Sequence, residues 1–146
     1  MKTKEIQEKL VDTMQKWQKI EDAAVASTGG IIDSTENPLI RLVMEIIQAD
    51  SRMHRRVQEF IASTLTEKAV NLTPEELGKV SEAIEKHNAI EKQMVGYVDE
   101  TLNALKGKKM LVQEYLLNYL WDDEKKHETL LSILDKVKQG MYPYAG

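Results

Sequence analysis

Residues 116–134 read LLNYLWDDEKKHETLLSIL. Leu116, Leu120, Asp123, His127, Leu130 and Leu134 step by fours and threes, the spacing of one helix face. That face is apolar except at its centre, where Asp123 and His127 stand one turn apart, with Glu124 at the edge. Burying ionisable groups is costly unless they are paired or bound to a metal. The stretch therefore reads as a helix that carries acids and an imidazole into a helical interior.

Working outward, the same design recurs. A segment predicted over 38–65 has the seam Val43, Ile47, Asp50, His54, Val57, Ile61, Thr64. Another, beginning at Pro74, has Leu77, Val80, Ile84, His87, Glu91, Met94, Val98, Thr101, Leu105. The first, predicted over 3–32, has Leu10, Met14, Trp17, Glu21, Ala24, Thr28, Ile31. The fourth extends over 109–138. All three histidines thus lie on seams, each with an acid four positions away: Asp50 with His54, Glu91 with His87, Asp123 with His127.

The punctuation agrees. Gly29 and Gly30 weaken the last turn of the first helix, and 34–37 form a loop. Asn37 is a good N-cap ahead of Pro38. Thr73, Pro74 and Glu76 form a capping box. Gly107, between Lys106 and Lys108, ends the third helix. The tail from Met141 to Gly146 is expected on the surface. No stretch shows sustained period-two alternation. The expected fold is all-α, a single-domain antiparallel four-helix bundle over 1–146 with short loops.

Composition narrows the function classes. A net charge of -4 gives no reason to expect nucleic-acid binding. The cluster Arg52, Arg55, Arg56 reads as a solvated face. With no cysteine, disulfides, thiol catalysis and cysteine-held metals are excluded, and a cytoplasmic location is expected. No run reaches the roughly 18 apolar residues of a membrane span. No serine or threonine joins a His–acid relay on the seams, and no glycine-rich phosphate loop is present.

Helical rise gives the depth of each polar residue. His54 and His87 both fall about 20 Å from the loop between helices two and three. Glu91 and Asp123 both fall about 20 Å from the next loop. Glu21 and Asp50 fall roughly 17–18 Å from theirs. In an up-and-down bundle these residues would share one layer.

The halves of the chain echo each other. Ile20-Glu21 matches Ile90-Glu91, and ADSRMH (49–54) matches DDEKKH (122–127). With Glu124-Lys-Lys-His127, and with Glu91 six residues before Tyr97, nearly the whole chain resembles the ferritin-like, rubrerythrin-like superfamily of di-metal carboxylate bundles. In that family each half supplies a Glu from one helix and a Glu-x-x-His from the next. The resemblance implies Glu21, His54, Glu91, Glu124 and His127 as primary ligands. It leaves Asp50, His87 and Asp123 as further ligands or as the acids and imidazole that orient them. The pattern departs from the family at Ser51, where a bridging carboxylate is expected, and in the short loop between helices two and three.

The resemblance implies two divalent ions, iron first, with manganese or zinc as alternatives for these nitrogen and oxygen donors. A di-iron oxidase, peroxidase or iron-handling protein is then expected, with an external electron donor. The alternative is a metal-free helical interaction module with a buried Asp/His/Glu network that fixes register. Leu42, Met44, Ile46, Leu117 and Trp121 widen the apolar faces and suggest a homodimer.

Overall fold

The computed structural model describes the backbone of residues 1–67, 69–70 and 72–141, and the side chains of the same residues as far as Leu134. Among these described residues there are four helices, Thr3–Ser34 (α1), Pro38–Thr66 (α2), Pro74–Ala104 (α3) and Leu111–Met141 (α4). Among the described residues there is no strand. The all-α, four-helix class with short loops is the one that the periodicity predicts. Residues 142–146, expected on the surface, lie outside the described residues. None of the described helices is long and apolar enough to cross a membrane.

The chain divides into two compact units, Met1–Val70 and Asn71–Gly146. Each is a helical hairpin. In the first, α1 and α2 run antiparallel. Arg41 Nη1 donates to the carbonyls of Ile32 and Thr35, Gln48 Nε2 to that of Val25, and Arg55 Nε to Asp22. The Arg41 contacts satisfy carbonyls at the end of α1 that have no partner within the helix. Asn37 Oδ1 accepts from the Leu39 and Ile40 amides at 3.0 and 3.1 Å, which starts α2 where the sequence predicts.

α1 continues through Gly29 and Gly30 to Ser34, past the weakened turn expected there. Close packing explains Gly29. A Cβ at this position would lie 3.3 Å from Gln48 Nε2, the nitrogen that reaches Val25. The glycine opens room for the interhelical hydrogen bond.

The seam itself is narrower than its apolar pattern suggests. On α1, Met14, Glu21 and Thr28 are buried, seven residues apart. Leu10, Trp17 and Ile31, predicted on the same seam, are exposed, Trp17 at 48%. On α2 the buried residues are Ser51 and Gln58, while Ile47 and Val57 are exposed. Two helices cover only one stripe of each other. In α2 the fully buried positions are polar and small, while the apolar seam beside them is only partly covered, with Val43 and Ile61 half-buried and Ile47 and Val57 exposed.

The second hairpin begins with the expected capping box. The Glu76 amide donates to Thr73 Oγ1 at 3.2 Å, and the Thr73 amide donates to Glu76 Oε2 at 3.1 Å. α3 ends at Ala104, and Gly107 makes the turn with φ +75°, a conformation that favours glycine. Glu91, Val95 and Val98 are the buried residues of α3. On α4, Leu116, Asp123, Glu124 and His127 are half-buried, whereas Leu120 and Leu130 are exposed.

Candidate metal centre

Glu91 is the most buried of the predicted site residues, at 2% exposure. It sits on the stripe of α3 that faces α4, so its carboxylate is removed from water. One of its oxygens serves two imidazoles. His87 Nε2 lies 2.7 Å from Glu91 Oε1, from one turn earlier on the same helix. His127 Nδ1 lies 3.3 Å from the same oxygen, across from α4.

Glu124 joins this group from the turn of α4 below His127. Its Oε2 lies 3.5 Å from His127 Nδ1, and its side chain is 15% exposed. The residue at the edge of the apolar pattern is therefore turned inward. Donor atoms of Glu91, Glu124 and His127 all fall within 4.8 Å of one another. Asp123 takes the other side of the imidazole ring, with Oδ2 3.5 Å from His127 Nε2. Lys126 Nζ in turn holds Asp123 Oδ1 at 2.6 Å. An imidazole with one nitrogen toward the carboxylates and the other toward an orienting acid has the arrangement found at many metal-bound histidines.

The electrostatics of the two glutamates are opposed. Glu91 is held below the ordinary carboxylate range, first by its hydrogen bond with Glu124 and then by His87 and His127, against the cost of burial. Glu124 is pushed above that range by the hydrogen bond with Glu91, by burial and by the Glu91 charge. Like charges this close oppose double ionisation, and Glu124 is the carboxyl that keeps its proton more readily. Even so, Glu91 Oε2 and Glu124 Oε2 are buried without a hydrogen-bond partner. Glu124 Oε2 has only the 3.5 Å approach of His127 Nδ1, so the space beside the two carboxylates favours positive charge.

The first hairpin gathers a smaller group. Glu21 is buried, and its Oε2 lies 3.3 Å from Nδ1 of the exposed His54. Gln58 Nε2 donates to the same oxygen at 3.5 Å. Ser51, buried, occupies the position that Glu124 holds in the matching motif. Asp50 is half-buried and makes no hydrogen bond or ion pair among the described residues, so His54 pairs across the helices with Glu21.

Of the eight residues singled out in the sequence, the structure joins Glu21 with His54, and His87, Glu91, Asp123, Glu124 and His127 with one another. Gln58 was not among them. Its signal was present: Gln48, Ser51, Arg55 and Gln58 form a polar stripe at helical spacing. A search for apolar periodicity passes over such a stripe. No protein family, curated protein or solved structure matches the chain.

Proposed function

We propose that this protein binds a divalent transition-metal ion through Glu91, Glu124 and His127. His87, 2.7 Å from Glu91 Oε1, and Asp123, 3.5 Å from His127 Nε2, orient these ligands. The observation that carries this reading is the convergence of Glu91, Glu124 and His127 donor atoms, with a buried oxygen on each glutamate that makes no hydrogen bond. The spacing also fits. An ion that holds its donors at about 2.0–2.2 Å keeps neighbouring donors roughly 3.0–3.5 Å apart. His127 Nδ1 stands 3.3 Å from Glu91 and 3.5 Å from Glu124. Two carboxylates neutralise a doubly charged ion, and imidazole adds a donor without charge. Such a set suits Fe(II), Mn(II) or Zn(II).

The finer form of the proposal is the ferritin-like one, with two irons per chain and an oxidase, peroxidase or iron-handling role. Iron would supply redox chemistry toward O2 or peroxide, with electrons from an external donor. The protein's own part is to hold the carboxylates dry and the imidazoles oriented. Elemental analysis of chain purified without chelator, and again after anaerobic ferrous loading, tests both levels. Loss of the more tightly held ion in Glu91→Gln and in His127→Ala supports the site. Two irons per chain with oxygen uptake on exposure to air support the ferritin-like form. Unchanged metal content in both variants refutes the assignment.

A second reading rests on a different observation. Leu10, Trp17, Ile47 and Val57 in the first hairpin, and Leu120, Leu130 and Ile133 in the second, are exposed. Apolar surface of this kind suits a helical interaction module or a homodimer, in which the Glu/His groups would act as metal-free polar contacts. Chelator-treated protein that keeps its melting temperature and self-associates would favour it.

A further inference from the structure

The first hairpin contains a polar group that packing does not explain. Gln58 is only 4% exposed. Its amide makes one long hydrogen bond, 3.5 Å from Nε2 to Glu21 Oε2, and its Oε1 has no partner. A desolvated amide with one long bond is unfavourable compared with leucine, which is what stands seven residues after Glu124 on α4, at Leu131. The same position, seven residues after Ser51 on α2, carries the glutamine.

Around it lie a buried carboxylate and an imidazole. Glu21 Oε2 is 3.3 Å from His54 Nδ1 and 3.5 Å from the Gln58 amide. These separations match neighbouring donors on a single ion, roughly 3.0–3.5 Å. A half-turn of the amide exchanges its nitrogen for its oxygen. That turn gives up the long hydrogen bond and sets an amide oxygen and an imidazole nitrogen, both from α2, against one Glu21 carboxylate oxygen of α1, and a cation would hold the two oxygens together. His54 is exposed, so the remaining positions on an ion would be open to water.

We infer that the first hairpin is a second, independent divalent-cation site, built from Glu21, His54 and Gln58, with the Gln58 amide oxygen as a ligand. It carries one carboxylate where the second hairpin carries two, so it binds the same ion more weakly. The sequence departure at Ser51 does not delete a half-site. A neutral amide one turn beyond His54 supplies the third donor that Ser51 lacks the reach and charge to provide.

The test is calorimetric titration of the full, chelator-stripped chain with Co(II), read together with the visible absorption of bound cobalt. The wild-type chain is expected to show two binding events of different affinity. In the double variant Glu91→Gln, Glu124→Gln the weaker event is expected to remain. Gln58→Leu should weaken that event by about 10–100-fold and spare the tighter one. Gln58→Glu should tighten it by about tenfold, a gain that misfolding cannot imitate. Loss of all cobalt binding in the double variant would overturn the inference, as would a weaker event indifferent to both Gln58 variants. If instead the tighter event survives the double variant while the weaker one follows Gln58, the reading of the second hairpin fails and this one stands.

Discussion

Replacing Glu124 by glutamine should separate metal binding from apoprotein stability, moving them in opposite directions. Donor atoms of Glu91 and Glu124 lie within 4.8 Å of each other, a separation at which two unit charges repel by about 3.5 kcal/mol at an effective dielectric of about 20. His127 and a shared proton relieve part of this, so the expected net gain for Glu124→Gln at slightly alkaline pH is about 1–2 kcal/mol. The sign follows from the direction of the shift. The Glu124 carboxyl is raised, so its protonated form stabilises the fold below its ordinary range, and that contribution is lost as pH rises through the raised value. Glu91 is lowered, so its contribution is present above the ordinary range and is lost in acid, as pH falls through the depressed value. Glutamine keeps a donor for Glu91 at all pH and removes the repulsion. Urea unfolding in chelator at about pH 4.5 and about pH 8 should show a gain only at the higher pH. The same variant should lose most of its affinity for metal. A variant destabilised equally at both pH values, or one that binds metal as the wild type does, would refute the reasoning.

Other consequences can be checked by unfolding alone. Met14→Ala should cost about 2–4 kcal/mol, because Met14 is buried against α2, while Trp17→Ala should cost clearly less despite the larger side chain. Gly30→Ala should stabilise by up to about 1 kcal/mol, since nothing lies within 4 Å of the added Cβ. Gly29→Ala should gain less, because its Cβ meets Gln48 Nε2 at 3.3 Å and strains the bond to Val25. Thr73→Ala removes a cap and should cost about 1 kcal/mol, with increased amide exchange over the first turn of α3 as the accompanying signal.

The helices were legible because their signals are local. Asn37 before Pro38, the Thr73–Glu76 box and Gly107 each act within one turn, and each does what its chemistry predicts. The seams were less so. Period alone marks which residues share a face, but not which half of a wide face a partner helix covers. Trp17 and Met14 belong to one apolar pattern, yet only Met14 lies under α2. On α2 the fully buried residues are Ser51 and Gln58, which no hydrophobicity pattern selects. The acids and imidazoles were found because charge on a seam is conspicuous. Their pairing was only partly readable. Glu91 meets His87 within its own helix, as the spacing of four requires. His54 meets Glu21 across the hairpin and not Asp50, and that choice depends on which way α2 is rotated against α1.

That rotation bears on why the two halves differ. In both hairpins a glutamate of the leading helix is buried between the helices, and a histidine of the following helix reaches it at 3.3 Å. The shared skeleton is therefore one glutamate and one imidazole per hairpin. What changes is the residue three positions before the histidine and the one four positions after it. The second hairpin has Glu124 and Leu131, a second carboxylate followed by an apolar residue. The first has Ser51 and Gln58, with the polar donor moved to the other side of the histidine and its charge removed. A carboxylate pair must hold a proton or a cation to coexist in a dry seam. A carboxylate with an amide has no such demand. The electrostatic demand for a cation is therefore stronger in the second hairpin than in the first, and if both proposed sites bind metal, Glu91 and Glu124 should fill first and Glu21 with Gln58 only at higher metal concentration.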